Sequence, residues 1–298
     1  MFLMILSLLS QAPTAAKHKG ADTALATRID RLFHITFSTD DEKEQAVAGS
    51  AIREIYAKHG IPTVADVGDE PVYQFVVLLA SDNLPIGFRA RLLPKIKEAE
   101  ARRELPPDAA TFYEARLRLA KAKQLARTRA PTNPHLRDEI ERLVKIDQAV
   151  RQQKGFNIEK MTETDGRNAA PLQTILDKYG IPTYPMVGPQ AAFDFVIMIQ
   201  HQSPHFREQV LSKLKAAVDA GQADPGSYAM VYDRSQRDLG KKQLYGEALE
   251  CAAGEELHEA PIDDEAHVNQ RRAELGLMRL ELYARLAAEM MPKVCPPG

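Results

Sequence analysis

Apolar residues recur at helical spacing along most of the chain, and proline and glycine mark the ends of the predicted helices. Residues 191–199 are apolar on nearly all sides apart from Asp194, which predicts a buried central helix. Ser203-Pro204 and Asp224-Pro225 each place a capping residue directly before a proline, an arrangement typical of a helix start. Alternation with a period of two is not sustained anywhere, so the pattern predicts an all-α protein.

The chain repeats itself. Gly60-Ile61-Pro62-Thr63 recurs 120 positions later as Gly180-Ile181-Pro182-Thr183, and further matches follow in the same order at offsets of 118 to 120. An ordered series at a nearly constant offset indicates an internal duplication. We therefore expect two related helical halves, packed side by side, with the first copy over residues 22–130 and the second over 135–290. Residues 131–134 (Pro-Thr-Asn-Pro) form the predicted joint.

Composition restricts the class of protein. The 298 residues carry 39 Lys and Arg against 41 Asp and Glu, a formal charge of −2, so non-specific binding of nucleic acid is not expected. A hydrophobic fraction of 44% excludes a disordered chain.

The N-terminus resembles an export signal. Residues 2–9 form an apolar run broken only by Ser7, which is too short to span a bilayer but fits the apolar region of a signal peptide. We take residues 1–16 as that signal and expect a periplasmic or secreted protein whose mature chain has no integral membrane segment. Cys251 and Cys295 can then form a disulfide or stay as thiols; their spacing is compatible with both.

Charged residues lie on the apolar face of the helix predicted for residues 136–153. Asp147 falls seven positions after the apolar Ile140, and Arg151 follows Asp147 by four, so both point along the apolar stripe. A charge directed into a core must be paired or belong to a site, because isolated burial is very costly. The pattern allows either an internal ion pair or a functional site.

Ionisable residues accumulate in the second half of the chain only. Asp194 and His201 lie seven positions apart on one helix face, and the equivalent positions of the first half hold Gln74 and Ser81. Asp233 corresponds in the same way to Ala115. The second half is therefore the better candidate for a functional site.

His201 and His205 have the spacing of four that zinc ligands on one helix use, but the residues between them argue against a metal site. Ser203-Pro204 ends one helix and begins another between the two histidines, so they do not share the helix face that zinc binding at this spacing requires. We expect no metal and no cofactor.

The pattern alone assigns no buried role to the remaining polar candidates. Asp233 and Arg234 lie off the apolar stripe of their predicted helix, which favours a solvated pair. Gln243 and Tyr245 follow Gly240, where that helix should end, and therefore belong to a loop.

The second half resembles an uncharacterised family of bacterial proteins that are often exported. The resemblance spans about residues 140–284, and its motifs occur in this order: Asp147-Gln148-x-x-Arg151, Gly180-x-Pro182, Val187-Gly188, Gln200-His201, Asp233-Arg234, Gln243-x-Tyr245-Gly246, Val268, Arg271-Arg272 and Leu275-Gly276-Leu277. The family usually continues the Tyr-Gly pair with Thr-Gln, whereas this chain has Glu247-Ala248. The resemblance implies no activity, but it places Asp233, Arg234 and Gln243 among the site residues.

Two functions follow as hypotheses. In the first, the second half binds a small polar or anionic ligand or a protein partner through Asp147, Gln148, Arg151, Asp194, His201, Asp233, Arg234, Gln243 and Tyr245. In the second, the protein is a hydrolase in which His201 is the general base, Asp147 or Asp233 orients it, and Arg151 or Arg234 stabilises negative charge. A third interpretation is a buried polar network that only specifies the fold.

Overall fold

The computed structural model describes residues 22–39, 41–152, 157–250 and 258–290. The predicted signal peptide, Cys251 and Cys295 all lie outside these ranges. The chain divides into two compact units, Met1–Ala110 and Thr111–Gly298. Helices provide nearly all the regular structure of the described residues, so the predicted all-α class is confirmed.

The first unit is built around one helix that is buried on all sides. Val72–Leu79 of this helix are all buried, because its residues are almost entirely apolar. The helices of the unit are α1 (Thr23–Ser38), α2 (Glu42–His59), α3 (Val64–Val67), α4 (Asp69–Leu79) and α5 (Ile86–Ala101), and α4 is the central one.

The next helix, α6 (Ala109–Arg127), packs with the second unit from Thr111 onward. Leu119, Ala122 and Ala126 lie against the hydrophobic core of that unit. The boundary between the two units therefore falls in the first turn of α6, whereas the joint predicted from the repeat falls after this helix, at 131–134. The repeat boundaries describe similarity between sequences rather than contacts, and they stay a prediction.

The second unit contains the longer helices and a short hairpin. Its elements after α6 are α7 (Pro134–Arg151), α8 (Ile158–Tyr179), α9 (Tyr184–Val187), α10 (Pro189–Gln200), α11 (Pro204–Asp219), α12 (Pro225–Asp238), β1 (Leu249–Glu250), β2 (His258–Glu259), a 3₁₀ turn (Glu265–His267), α13 (Val268–Glu274) and α14 (Leu280–Met290). The two strands pair antiparallel, with Leu249 opposite Glu259.

The predicted helix starts in the second unit are confirmed. The Ser203 hydroxyl accepts the Phe206 N–H at 3.3 Å at the start of α11, and the Asp224 carboxylate accepts the Ser227 N–H at 3.2 Å at the start of α12. The predicted central helix is α10, which buries Phe195, Val196 and Ile199 in the core. Among the described helices, none combines the length and hydropathy that crossing a membrane requires.

Candidate functional site

Asp147 is the centre of a buried polar cluster near the C-terminal end of α7. Its side chain is 1% exposed. Oδ1 lies 2.9 Å from Nη1 of Arg151 and accepts a hydrogen bond from Nδ1–H of His201 at 3.2 Å. Oδ2 accepts from the side-chain amide of Gln148 at 2.7 Å. The apolar stripe that points Asp147 inward therefore brings it to three polar partners.

Arg151 joins α7 to α8 through a second carboxylate. Its Nη2 donates to Oδ1 of Asp165 at 2.6 Å, while Nη1 lies against Asp147. One guanidinium thus bridges two carboxylates in the geometry that arginine favours. The internal Asp147–Arg151 pair, one of the two alternatives that the sequence left open, is present, and Asp165 is an additional member.

Asp147 remains ionised in this environment. Burial, the largest single influence, acts to raise its pKa, but the hydrogen bond and charge of His201, the charge of Arg151 and the Gln148 amide together outweigh it. The pKa of Asp147 therefore lies below the usual value of an aspartate.

His201 follows the last residue of α10, where the buried run ends. A carboxylate can only accept, so the contact with Asp147 fixes the proton on Nδ1. Nε2 faces the side-chain amide nitrogen of Gln200 at 3.5 Å, a weak contact. The carboxylate therefore orients the ring and leaves Nε2 with only this weak contact.

Arg207, on α11, bonds the backbone of residues 200–202 at the end of α10, which we call the His201 turn. Its side chain is 2% exposed, and Nη1 donates to the carbonyl oxygens of Gln200 at 3.0 Å and Gln202 at 2.6 Å. Its Nη2 pairs with Asp238 at the end of α12. These bonds satisfy carbonyls that the end of α10 leaves without intrahelical partners.

Arg234, on α12, has no ionic or hydrogen-bonded partner among the described residues. It is half-buried, and its Nε is fully buried without an acceptor. Arg237 and Asp238 lie three and four positions further along the same helix face, where they pair with each other at 2.7 Å. The one carboxylate on this face is therefore shared between Arg237 and Arg207, and Arg234 receives none.

The surroundings of Arg234 are positively charged. Burial is the largest influence and lowers the pKa of its guanidinium; the charges of Arg237, Arg207 and Arg151 lower it further, and only Asp238 opposes them. We call Arg151, Arg207, Arg234 and Arg237 the arginine cluster. Arg151 bonds the carboxylate that contacts His201, and Arg207 bonds the carbonyls on either side of His201. The charges of both arginines act on Arg234.

The same region contains the one group of metal-ligand side chains found in the described part of the chain. Ligand atoms of Asp147, Asp165 and His201 all lie within 4.8 Å of one another. The guanidinium of Arg151 already bonds both carboxylates, so a cationic group occupies the position between them. His205 is not part of this group; it is exposed and contacts Gln209 at 3.0 Å. The expected absence of a metal stays a prediction.

Asp233 points away from Arg234 and organises a loop. The pattern-based expectation of a solvated pair is wrong, because Asp233 is 0% exposed. Its carboxylate accepts the backbone N–H groups of Leu244 at 2.8 Å, Tyr245 at 3.1 Å and Glu247 at 2.9 Å. Burial, the largest influence, raises the pKa of Asp233, although these N–H groups act against it. Adjacent residues of a helix point in directions about 100° apart, so Asp233 and Arg234 reach two different regions of the protein.

Gln243 completes the same loop. It is 0% exposed and donates to the carbonyl oxygens of Ala248 at 3.0 Å and Ala260 at 2.6 Å, while its own side-chain oxygen accepts the Ala248 N–H. Arg272 fixes the loop from α13 by donating to the Tyr245 carbonyl at 2.5 Å and to Glu247 at 2.9 Å. Glu247 is therefore paired with Arg272 inside the protein.

The loop positions Tyr245 in the wall of a separate cavity. The Tyr245 ring makes edge-to-face contacts with Tyr228 and Tyr232. The cavity has a volume of about 370 Å³ and is also lined by Leu119, Val218 and Leu275. Neither Asp147 nor His201 nor any member of the arginine cluster lines it.

The structure thus divides the predicted site residues into three groups. Gln148, Arg151 and His201 each contact Asp147, and Arg234 is linked to this group only through the charge of Arg151. Asp194 stands apart, because its carboxylate accepts the Gln190 amide at 2.8 Å one turn earlier on α10. Asp233, Gln243 and Tyr245 build the loop.

Sequence reasoning missed Asp165, Arg207, Arg237 and Asp238. A signal existed for Arg207, because the predicted repeat aligns it with Arg89. Arg237 and Asp238 were visible only as neighbours of Arg234 on one helix face.

Comparison with known proteins assigns the second half of the chain to a family. No curated protein and no solved structure matches the chain. The profile of a family described as a family of unknown function, DUF6624, matches residues 134–292, which confirms the resemblance in its location and in the lack of a known activity. Because the match spans more than half of the 298 residues, the chain belongs to this family of unknown function.

Proposed function

We propose that the second unit binds a small anionic ligand at Arg234, within the arginine cluster. The observation that carries this proposal is the lack of any partner for Arg234 among the described residues, in a half-buried position. An unpaired charge withdrawn from water is costly, and each other member of the arginine cluster has a carboxylate. Arginine presents a planar fork of donors that fits a carboxylate or a phosphate.

The two halves of the chain support a functional role for this charge. We propose that they are copies of one unit, with the boundaries predicted from the sequence. Gly60 and Gly180 both end a helix with φ +72°. Arg89 donates to the Ala80 carbonyl at 2.9 Å, as Arg207 donates to that of Gln200 at 3.0 Å.

The proposed copies differ where the candidate site lies. The buried positions Leu25, Ile29, Leu32 and Thr36 of α1 have the same spacing as Leu136, Ile140, Leu143 and Asp147 of α7. Thr36 thus takes the place of Asp147, and the offset of 120 puts Ser81 in the place of His201. Both positions are buried and neutral in the first unit. Packing alone therefore does not require the acid and base of the second unit.

A hydrolase remains the second candidate, and the Asp147–His201 contact favours it. The carboxylate bonds Nδ1 and leaves Nε2 for proton transfer, as a general base requires. Asp233 does not serve this purpose, because its oxygens bond the loop. A hydrolase should show turnover on an ester or phosphoester panel, with a pH–rate profile that His201→Gln abolishes; binding without turnover excludes it.

The binding proposal is tested by replacing Arg234 with methionine, which keeps the length of the side chain and removes its charge. We expect affinity for phosphate and for acetate, measured by isothermal titration calorimetry at low salt, to fall at least about tenfold. The same change should raise the stability of the ligand-free protein by about 1 kcal/mol, because an unpaired buried charge disappears. Arg142→Met, at an exposed position of α7, is the matched control and should change neither quantity.

Two results would overturn the proposal. One is that the unaltered protein binds neither anion at millimolar concentration. The other is that Arg234→Met destabilises the protein and leaves anion affinity unchanged, which would make Arg234 a structural residue.

A further inference from the structure

The cavity lined by Tyr245 has the features of a second ligand site. We infer that it binds a small zwitterion with an apolar side chain, the chemistry that an apolar amino acid presents. No member of the arginine cluster lines this cavity, so it is separate from the proposed anion site at Arg234. The two proposals therefore stand or fall independently.

The volume of the cavity suits a small molecule. It is about 370 Å³, near the lower end of the ~300–1,000 Å³ that is usual for pockets that bind small ligands. Its walls come from α6, α11 and α13, from the turn between α11 and α12, and from the loop that carries Tyr245. All of these segments belong to the second unit, so the cavity lies within one compact body.

Much of the wall is apolar. Leu119 of α6, Val218 of α11 and Leu275 of α13 line the cavity together with Tyr245. Burial, the largest influence on the Tyr245 hydroxyl, raises its pKa, so this side chain stays neutral. Contact with such a wall is favourable for an apolar group that leaves water. The ligand is therefore expected to carry an apolar side chain.

The wall is fixed by hydrogen bonds that do not involve a ligand. The Asp233 carboxylate accepts the N–H of Tyr245 at 3.1 Å. Arg271, which also lines the cavity, donates to the carbonyl oxygens of Leu244 at 2.9 Å and Asp263 at 2.7 Å. A pocket that is formed in advance loses little conformational entropy when a ligand binds.

Three of the charged side chains in the wall already have partners. Arg271 pairs with Asp264 at 3.3 Å, and Lys215 pairs with Asp219 at 2.7 Å within α11. Arg271, Lys215 and Asp219 therefore carry charges that are compensated inside the protein.

Two charges of opposite sign in the wall are left over. Arg118 of α6 and Glu274 of α13 line the cavity, and neither has an ion pair or a side-chain hydrogen bond within the part of the chain that the structure describes. They do not pair with each other either, so their charged atoms are more than 4.0 Å apart. Both side chains are exposed, which places them where the cavity meets the solvent.

This combination selects the class of ligand. The guanidinium of Arg118 fits a carboxylate, and the carboxylate of Glu274 accepts hydrogen bonds from an ammonium group. An apolar acid or an apolar amine would use only one of these charges. An apolar amino acid uses both and places its side chain against the apolar wall.

The test compares leucine with three molecules that each lack one of its groups. They are 4-methylpentanoate without the ammonium, 3-methylbutylamine without the carboxylate, and glycine without the apolar side chain. By calorimetry at low salt we expect leucine to bind at millimolar concentration or below. Loss of either charge should weaken binding by about three- to fivefold, since exposed ion pairs contribute little. Loss of the side chain should weaken it more than about tenfold.

Substitutions assign each charge to its residue. Arg118→Met should abolish the preference for leucine over 3-methylbutylamine, and Glu274→Gln should abolish the preference over 4-methylpentanoate. Both positions are exposed, so these variants should fold as the unaltered protein does. Lys121→Met is the matched control, because Lys121 is an exposed cation of α6 that does not line the cavity. It should bind leucine as the unaltered protein does.

The outcomes separate this inference from the proposed function. All titrations are repeated with Arg234→Met, because a carboxylate can also bind at the anion site; binding of leucine should persist in this variant. The inference is wrong if leucine does not bind, if it binds only through Arg234, or if 4-methylpentanoate binds as tightly as leucine. None of these results decides whether phosphate binds at Arg234. Leucyl-leucine identifies the source of the zwitterion: tighter binding of the dipeptide indicates a peptide, and weaker binding indicates the free amino acid.

Discussion

Replacing Asp233 with alanine is expected to lower the free energy of unfolding by about 3–5 kcal/mol. The carboxylate is fully buried, and its removal leaves the backbone N–H groups of Leu244, Tyr245 and Glu247 without an acceptor. Each buried donor that loses its partner costs about 1–3 kcal/mol, part of which is recovered if the loop opens to water. Urea unfolding followed by circular dichroism measures the loss.

Asp219→Ala is the matched control for this prediction. Asp219 is also an acid near the end of a helix, and its pair with Lys215 at 2.7 Å is exposed. Exposed pairs contribute about 0–1 kcal/mol, so the control should unfold at nearly the urea concentration of the unaltered protein. If Asp233→Ala costs no more than Asp219→Ala, the loop is not held by Asp233 in solution.

Asp147→Asn should also cost about 3–5 kcal/mol at neutral pH. The substitution keeps the size of the side chain but removes the charge that Arg151 and His201 contact. Arg151 retains Asp165, whereas the ring of His201 loses the acceptor that orients it. Asp138→Asn on the same helix, where the carboxylate is exposed and paired with Arg137, should have little effect.

The cost of Asp147→Asn should depend on pH in a defined direction. The pKa of Asp147 is lowered in the folded protein, so its charge stabilises the fold above the pKa of an unfolded aspartate, about 3.9. That contribution is lost as the pH falls through the lower, folded pKa. The difference in stability between the two proteins should therefore shrink as the pH falls below about 4. A difference that keeps growing below that pH would contradict this assignment.

The helices of this protein were predictable because their signals are local. Ser203 and Asp224 cap α11 and α12 through side-chain contacts three residues away, so the dipeptides with proline identify both starts. Gly60 and Gly180 each end one helix with a positive φ, so this signal also lies within a single helix. The two-residue strands were not predictable, since their pairing joins residues on either side of a loop.

The candidate site was predictable only in part. The heptad distance from Ile140 directs Asp147 inward, and this was visible in the sequence. The pairing of Asp165 with Arg151 was not visible, because it depends on the packing of α8 against α7 and not on the spacing of residues along the chain. For Asp233 the apolar stripe gave the wrong answer. The loop after α12 covers the face that the pattern assigns to solvent, so its backbone N–H groups replace water.

By itself, the sequence determined that this protein belongs to the all-α class, that charge is directed into the core at Asp147, and that the family resemblance lies in the second half. These properties follow from the period of the helix and from capping by near neighbours. Only the tertiary structure decided that Asp233 holds a loop while Arg234, one residue later, meets no opposite charge among the residues that the structure describes. Whether a buried charge has a partner depends on which side chains other helices bring to it, and that is a property of packing rather than of spacing along the chain.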